Sequence, residues 1–324
     1  MKPTIDGPIL ITGAAGQIGA VGRTVTGLLL DRGFPVRALV RREDERAAAL
    51  RAAGAEVVIG DLLEPADVYR VVVGCRRVYF GMSVSPSYLE ATVTMAAVAR
   101  QVGVDALVNI SQMTVSQMSI QNTTSSPQQR QHWLSEQTLS WSGLPVVTIR
   151  PTVFLEGFFL PLTGPSVRDR GRIELPFGGG KTNPVAVGDV ARVIAVVLAD
   201  PKPHLGQIYE LTGPRSQDIA GIAREYSDAL NREVTYADIS PDDWARELKK
   251  AGLPEHLAKH LMTMAELNRA GRYDRMADWV EQLTGQPPMS VREFVSLHAD
   301  KFGGLRTANV ANAGSAEGQL RDES

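Results

Sequence analysis

Short apolar runs alternate along the chain with longer stretches whose apolar residues recur at helical spacing. The runs at 9–12, 36–40, 55–59, 77–80, 106–110 and 146–150 are rich in Val, Ile and Leu, and most stop at Gly, Ser or Pro. Such runs predict strands buried on both faces. Between them, 24–30, 43–53, 65–73, 89–102 and 127–142 read as helices, the first ending at Gly33, a residue suited to the left-handed position after a helix. Regular alternation predicts an α/β fold, a Rossmann-type doubly wound parallel sheet with right-handed crossovers. Past the sixth strand the pattern changes. A short strand is expected at 235–238, and helices at 241–251, 254–270, 273–283 and 290–302, separated by Gly- and Pro-containing breaks. This predicts a smaller, mainly helical C-terminal domain.

In an open parallel sheet, ligands bind at the carboxyl ends of the strands. After the first strand comes Gly13-Ala14-Ala15-Gly16-Gln17-Ile18-Gly19-Ala20-Val21-Gly22, then a helical pattern. Strand, glycine-rich turn and helix together suit a dinucleotide pyrophosphate, because glycines admit the backbone close to phosphate and the helix start offers unpaired N–H groups. Gly13, Ala15, Gly16, Gln17, Ile18, Gly19 and Gly22 are therefore candidate cofactor contacts. The third functional glycine is Gly19 or Gly22, and with Gly22 the helix begins nearer that residue. Arg41-Arg42 follows the second strand, where NAD enzymes carry an acid. A guanidinium binds a 2′-phosphate that an acid would repel, so Arg41 points to NADP(H) rather than NAD(H). Asp61 and Leu62 end the third strand and suit the adenine; an N-cap role for Asp61 on the 65–73 helix is the alternative. Gly81 and Met82 end the fourth strand and would let the backbone approach the adenosine.

Ser111 and Gln112 end the fifth strand, close to where a nicotinamide would lie. Short-chain reductases add a Tyr-x-x-x-Lys pair on the next helix. Here those positions hold Gln128 and His132, so the dyad is missing. His132, Ser111 and Gln112 remain as candidate catalytic groups, with His132 free to pair with Glu136 one turn on. The segment 114–126 is small, polar and uncharged, and predicts a mobile loop over the site.

Composition narrows the partners. With 34 Lys and Arg against 36 Asp and Glu, and no basic run, nucleic acid is not an expected partner. The single cysteine, Cys75, excludes an intramolecular disulfide and a cysteine zinc site, and its apolar neighbours predict an inert buried thiol. His256 and His260 stand at i, i+4 without an evident third ligand, so no metal is expected. No leader or spanning segment is apparent, which gives the expectation of a cytoplasmic protein with no membrane partner. Gly178-Gly179-Gly180-Lys181 lacks phosphate-loop spacing and reads as a turn with Lys181 exposed.

The glycine turn, Arg41, and Ser142-Gly143-Leu144-Pro145…Ile149-Arg150-Pro151-Thr152-Val153-Phe154 together resemble the NmrA-like family of atypical short-chain dehydrogenase/reductases. The resemblance covers about 8–302. It implies that Pro151, Val153 and Phe154 run under the nicotinamide carboxamide, that 184–191 returns to the sheet as a strand and helix start, and that 207–214 holds the last sheet strand before a helix capped by Ser216. The implied domains are 1–155 with 184–213 returning to it, then 156–183 and 214–302 around a substrate pocket; the small, polar composition of 303–324 predicts a disordered tail. Met113, Phe154, Phe158, Phe159 and Leu160 would line that pocket and suit a flat aromatic or quinone-like molecule, with two or three of the phenylalanines expected in the core. Family members resemble either NADPH-dependent reductases of quinones and dyes or dinucleotide-sensing regulators without chemistry. The expected function is hydride transfer from NADPH to a quinone-like or conjugated carbonyl acceptor; the alternative is a silent NADP(H) sensor that binds a protein partner. A homodimer is equally open.

Overall fold

A computed structural model describes residues 7–16 and 21–304. Gln17, Ile18, Gly19 and most of the expected tail lie outside the described residues. The first half alternates as the apolar runs predict: β1 (Ile9–Ile11), α1 (Val21–Asp31), β2 (Val36–Val40), α2 (Glu45–Ala52), β3 (Glu56–Ile59), α3 (Pro65–Val72), β4 (Arg77–Phe80), α4 (Tyr88–Val102), β5 (Ala106–Ile110), α5 (Pro127–Trp141) and β6 (Val146–Pro151). Pro151 belongs to the sixth strand instead of stopping it; it stands opposite Leu211 at the strand's last position.

The second half adds α6 (Leu160–Arg170), β7 (Arg172–Leu175), β8 (Lys181–Thr182), α7 (Val187–Ala199), β9 (Ile208–Leu211), β10 (Gln217–Asp218), α8 (Ile219–Leu230), β11 (Thr235–Asp238), α9 (Pro241–Lys250), α10 (Glu255–Arg269), α11 (Trp279–Thr284) and α12 (Val291–Leu297). Seven strands form one parallel sheet in the order β3-β2-β1-β4-β5-β6-β9. Strand order reverses between β1 and β4, which opens a crevice at their carboxyl ends.

Two apolar layers cover the sheet. Val25 and Leu29 of α1 pack with Val190, Ile194 and Val197 of α7 on one face. Val68 and Val72 of α3, Met95 and Ala99 of α4 and Leu139 of α5 cover the other. Cys75 lies in this second layer, and burial pushes its thiol up to about 11, as suits an inert thiol. A third core, built around Phe158, Phe177, Tyr226, Trp244 and Phe294, belongs to the C-terminal elements. Among the described residues no helix is long and apolar enough to cross a membrane.

Several local expectations are corrected. The stretch before α7 adds no sheet strand: Val185 makes one isolated bridge, to Phe154. Asp218, not Ser216, caps α8, its carboxylate accepting from the Gly221 N–H at 2.7 Å, while Ser216 donates to Asp274. The expected helix at 273–283 shrinks to Trp279–Thr284, because the preceding residues run as a connector whose Arg275 reaches Glu210 of β9. Glycines 178–180 do form a turn, between β7 and β8, held by Asp238 through the Gly178 N–H at 3.0 Å.

Candidate functional site

The crevice is a cavity of about 560 Å³ that starts at the glycine turn and runs beneath the C-terminal helices. Its floor is made by backbone. Thr12 Oγ1 donates to the Gly81 carbonyl and accepts from the Gly81 N–H, both at 2.8 Å, and so joins the ends of β1 and β4. Gly13 has φ +65°, and a Cβ there would lie 2.8 Å from the Gly81 oxygen. A Cβ on Gly22 would lie 2.7 Å from the Thr12 oxygen and 2.8 Å from the Gly13 carbonyl carbon. Gly22 thus has the close helix-to-strand contact that the third glycine of a dinucleotide turn makes.

The residues singled out in the sequence fall into two groups. Gly13, Gly16, Gly22, Gly81, Met82, Ser111, Gln112, His132, Pro151, Val153 and Phe154 all line the cavity. Ala15 of the glycine turn, Arg41 after β2, and Asp61 and Leu62 after β3 are not part of its lining. Arg41 is 74% exposed and its guanidinium lies 3.5 Å from the Asp61 carboxylate, so the two residues assigned to different parts of one cofactor pair with each other. Asp61 does not cap α3, whose N-cap is Glu64; its carboxylate closes a local turn by accepting from the Leu63 N–H at 3.0 Å. A cation missed in the sequence stands between α2 and the glycine turn. Arg46 donates to the Ala15 carbonyl at 2.9 Å while pairing with Asp44, the N-cap of α2. Its helical position disguised it as one more surface arginine.

His132 is buried, and the expected pairing with Glu136 is absent. Arg150 of β6 takes the Glu136 carboxylate instead, at 3.0 Å from Nε. His132 Nε2 accepts from Gln128 Nε2 at 3.1 Å, which leaves the proton on Nδ1, an atom with no partner among the described residues. The ring packs against Tyr88 with centroids 4.1 Å apart and planes inclined by 49°. Burial first, then the nearby His260, pulls its pKa down to about 3, so it is neutral at physiological pH.

Ser111 Oγ, Thr114 Oγ1 and Thr152 Oγ1 are also buried without partners among the described residues, and all three residues line the cavity. Unsatisfied buried polar atoms are costly, and a cluster at one cavity wall calls for a polar ligand. With glycines that hold the floor open, they fit a ribose and carboxamide lying over β5 and β6.

The rest of the wall is apolar. After β6 the chain makes one wide turn, in which the Leu160 N–H reaches back to the Leu155 carbonyl. Such turns recur at functional sites. This one carries Phe154, Glu156 and Phe158 to the cavity, while Phe159 lies in the third core, where two or three of these phenylalanines are expected, and not on the cavity wall. Glu156, another residue missed in the sequence, accepts from the Val187 N–H at 2.9 Å and ties this turn to the start of α7; burial raises its pKa. From the far side, Leu257, His260, Leu261 and Met264 of α10, with Tyr273, complete the enclosure. The 114–126 segment is not a free loop: Gln117 donates to the Arg272 carbonyl at 3.1 Å, Arg275 donates to Ser116, and Ser125 bonds Thr263 at 3.0 Å.

These features define a dinucleotide-binding protein of the short-chain reductase type. Residues 13–201 match the NAD(P)H-binding family, and the chain belongs to it. The NAD(P)H azoreductase of Xenophilus azovorans is 29% identical over 297 residues, covering 91% of this chain and 99% of that protein. The crystal structure of the NADPH-dependent quinone oxidoreductase QOR2 from Escherichia coli, complexed with NADPH, has a TM-score of 0.79 at 25% identity, over 90% of this chain and 99% of that one. The NmrA-like fold is matched by NmrA itself, a negative transcriptional regulator in complex with NADP, with a TM-score of 0.71 at 15% identity, over 90% of this chain and 94% of that one. The chain is thus similar to NAD(P)H-dependent reductases along nearly its whole length.

Proposed function

We propose that the protein is an NADPH-dependent reductase of a small, flat, conjugated acceptor, quinone-like, enone or azo. The observation that carries this reading is one continuous cavity, polar with unpaired hydroxyls over β5 and β6 and apolar under α10. Azo and quinone reduction by the similar proteins supports the acceptor class. Residues 156–183 and 214–302 would serve as the substrate side, and 1–155 with 184–213 as the cofactor side.

The glycine turn and the start of α1 would hold the pyrophosphate, and Asp61, Leu62, Gly81 and Met82 the adenosine. Arg41, Arg42 and Arg46 would supply positive charge for a 2′-phosphate. Ser111 Oγ and His132 Nδ1–H would hold the ribose and carboxamide, with Pro151, Val153 and Phe154 beneath them. When bound, the reduced nicotinamide supplies a hydride. Ser111 and Gln112 would orient the acceptor, and Phe154, Phe158 and Leu261 exclude water. A quinone needs no Tyr-Lys dyad, because its reduced anion is far more stable than an alkoxide; alcohol dehydrogenation would need one.

The test is NADPH with a panel of quinones, enones and azo dyes, followed by loss of the reduced-nicotinamide absorbance. Turnover of at least one class is expected. Tight NADP(H) binding without turnover on any of them would favour the sensor instead.

A further inference from the structure

The sequence offered His260 only as half of an empty metal motif. Its position in the fold gives it another use. His260 sits on α10, is 6% exposed, and is one wall of the cavity. Its Nδ1 lies 2.9 Å from Ser126 Oγ. Ser126 is the N-cap of α5 and fully buried, and its Oγ already accepts from the Gln129 N–H at 3.2 Å.

That second bond decides the tautomer. Ser126 has one O–H to give, and a buried hydroxyl must give it. Among the described residues its only available acceptor is His260 Nδ1. The imidazole therefore accepts at Nδ1 and carries its proton on Nε2. Among the described residues no group bonds Nε2, the nitrogen left to the cavity that His260 lines. Burial also pulls the His260 pKa down to about 4, so the ring is a neutral donor at physiological pH.

We infer that His260, locked by Ser126, donates an Nε2–H hydrogen bond to the carbonyl oxygen or azo nitrogen of the acceptor. This rests on the reductase reading above. A neutral imidazole is a weak acid, so His260 holds its proton and stabilises the negative charge that develops on the acceptor. Reduction then balances without it: two electrons and one proton arrive as hydride from the dinucleotide, and water supplies the second proton. The same donor discriminates among ligands, favouring a flat molecule with a lone pair at its rim over a plain hydrocarbon.

The test uses the full chain, with 1,4-naphthoquinone and an azo dye as probes. Binding is read by fluorescence quenching in the NADP+ complex, where no hydride is available, and turnover is read with NADPH. His260→Leu is expected to weaken probe binding and to lower kcat/KM on the order of 10- to 100-fold, with NADPH affinity unchanged. His260→Gln, which keeps an N–H donor, is expected to recover most of the loss, and it decides the matter if the leucine variant folds poorly. Ser126→Ala should give an intermediate loss. Wild-type binding and turnover unaltered in both His260 variants would overturn the role of His260 and leave the reductase reading intact. Binding that is lost in His260→Leu but never leads to turnover would uphold the contact and overturn the reductase. A wild type that neither binds nor reduces either probe would overturn both.

Discussion

Gly22 sets two rules against each other. On an isolated helix, Gly→Ala stabilises by up to about 1 kcal/mol. Here the added Cβ would meet backbone atoms of Thr12 and Gly13 at 2.7–2.9 Å, and backbone cannot swing aside. Gly22→Ala should therefore destabilise by about 1–3 kcal/mol, seen as a lowered urea midpoint together with weaker dinucleotide binding; a stabilised variant would show that α1 can move off the turn. Arg41 presents a different case, because its ion pair with Asp61 is exposed and contributes little to stability. Its value would lie in a bound 2′-phosphate. Arg41→Ala should raise the NADPH dissociation constant by roughly tenfold and leave NADH nearly unchanged, as read by nucleotide fluorescence titration. Equal losses for both would remove Arg41 from the site, and Arg46→Ala would be the next comparison.

Helix α5 is positioned by charge. Glu136 and Arg150 are 7% and 14% exposed, and Arg150 bridges α5 to β6 within reach of Glu210 on β9. Arg275 grips Glu210 from the C-terminal connector and Ser116 from the loop after β5. This network ties α5, two strands and the connector to one another. Arg150→Met strands a buried carboxylate and should cost about 3–5 kcal/mol in denaturant unfolding, whereas Arg150→Met with Glu136→Leu should recover much of it. Equal stability of single and double variants would mean that Glu136 finds another partner or water. The sequence made Glu136 look like a partner for His132, since i, i+4 neighbours meet on a helix. The stronger pairing came from a strand fourteen residues on, which no helical spacing reveals.

Across the molecule, the two buried histidines couple stability to acidity. His260 and His132 ionise at about 4 and about 3 in the fold, against about 6.5 in an unfolded chain. Below pH 6.5 the unfolded state binds protons that the folded state refuses. Their contribution is thus fully present above pH 6.5 and is lost as pH falls toward 4, by up to about 1.4 kcal/mol per pH unit for each group. Glu156 and Asp189, whose carboxyls burial pushes up, act in the opposite direction. The histidine part is therefore read as a difference: urea unfolding at pH 7.5, 6 and 5 should show a smaller acid loss in His260→Leu than in the wild type. Parallel pH profiles would mean that His260 charges freely in the native state.

The parallel sheet, its order of strands and helices, and the glycine turn were legible because each is local: strands buried on both faces are continuous apolar runs, and a turn that touches phosphate needs glycine whatever surrounds it. For the same reason the residues at strand ends, from Gly13 to Phe154, could be named from strand boundaries alone. Fold topology then decided which of them share a cavity and which, like Arg41 and Asp61, stand apart and pair. The far wall was not legible. Leu257, His260 and Met264 carry an ordinary amphipathic pattern, and nothing local says that α10 closes over α5 more than a hundred residues upstream. The 114–126 segment looked free because its composition is polar, yet its bonds go to Arg272, Arg275, Ser125's partner Thr263 and His260, all distant in the chain. Local hydrogen bonding and periodicity are written in neighbouring residues; the pairing of buried polar groups is settled only when distant elements meet, because each such group must find whatever partner the packed core leaves within reach.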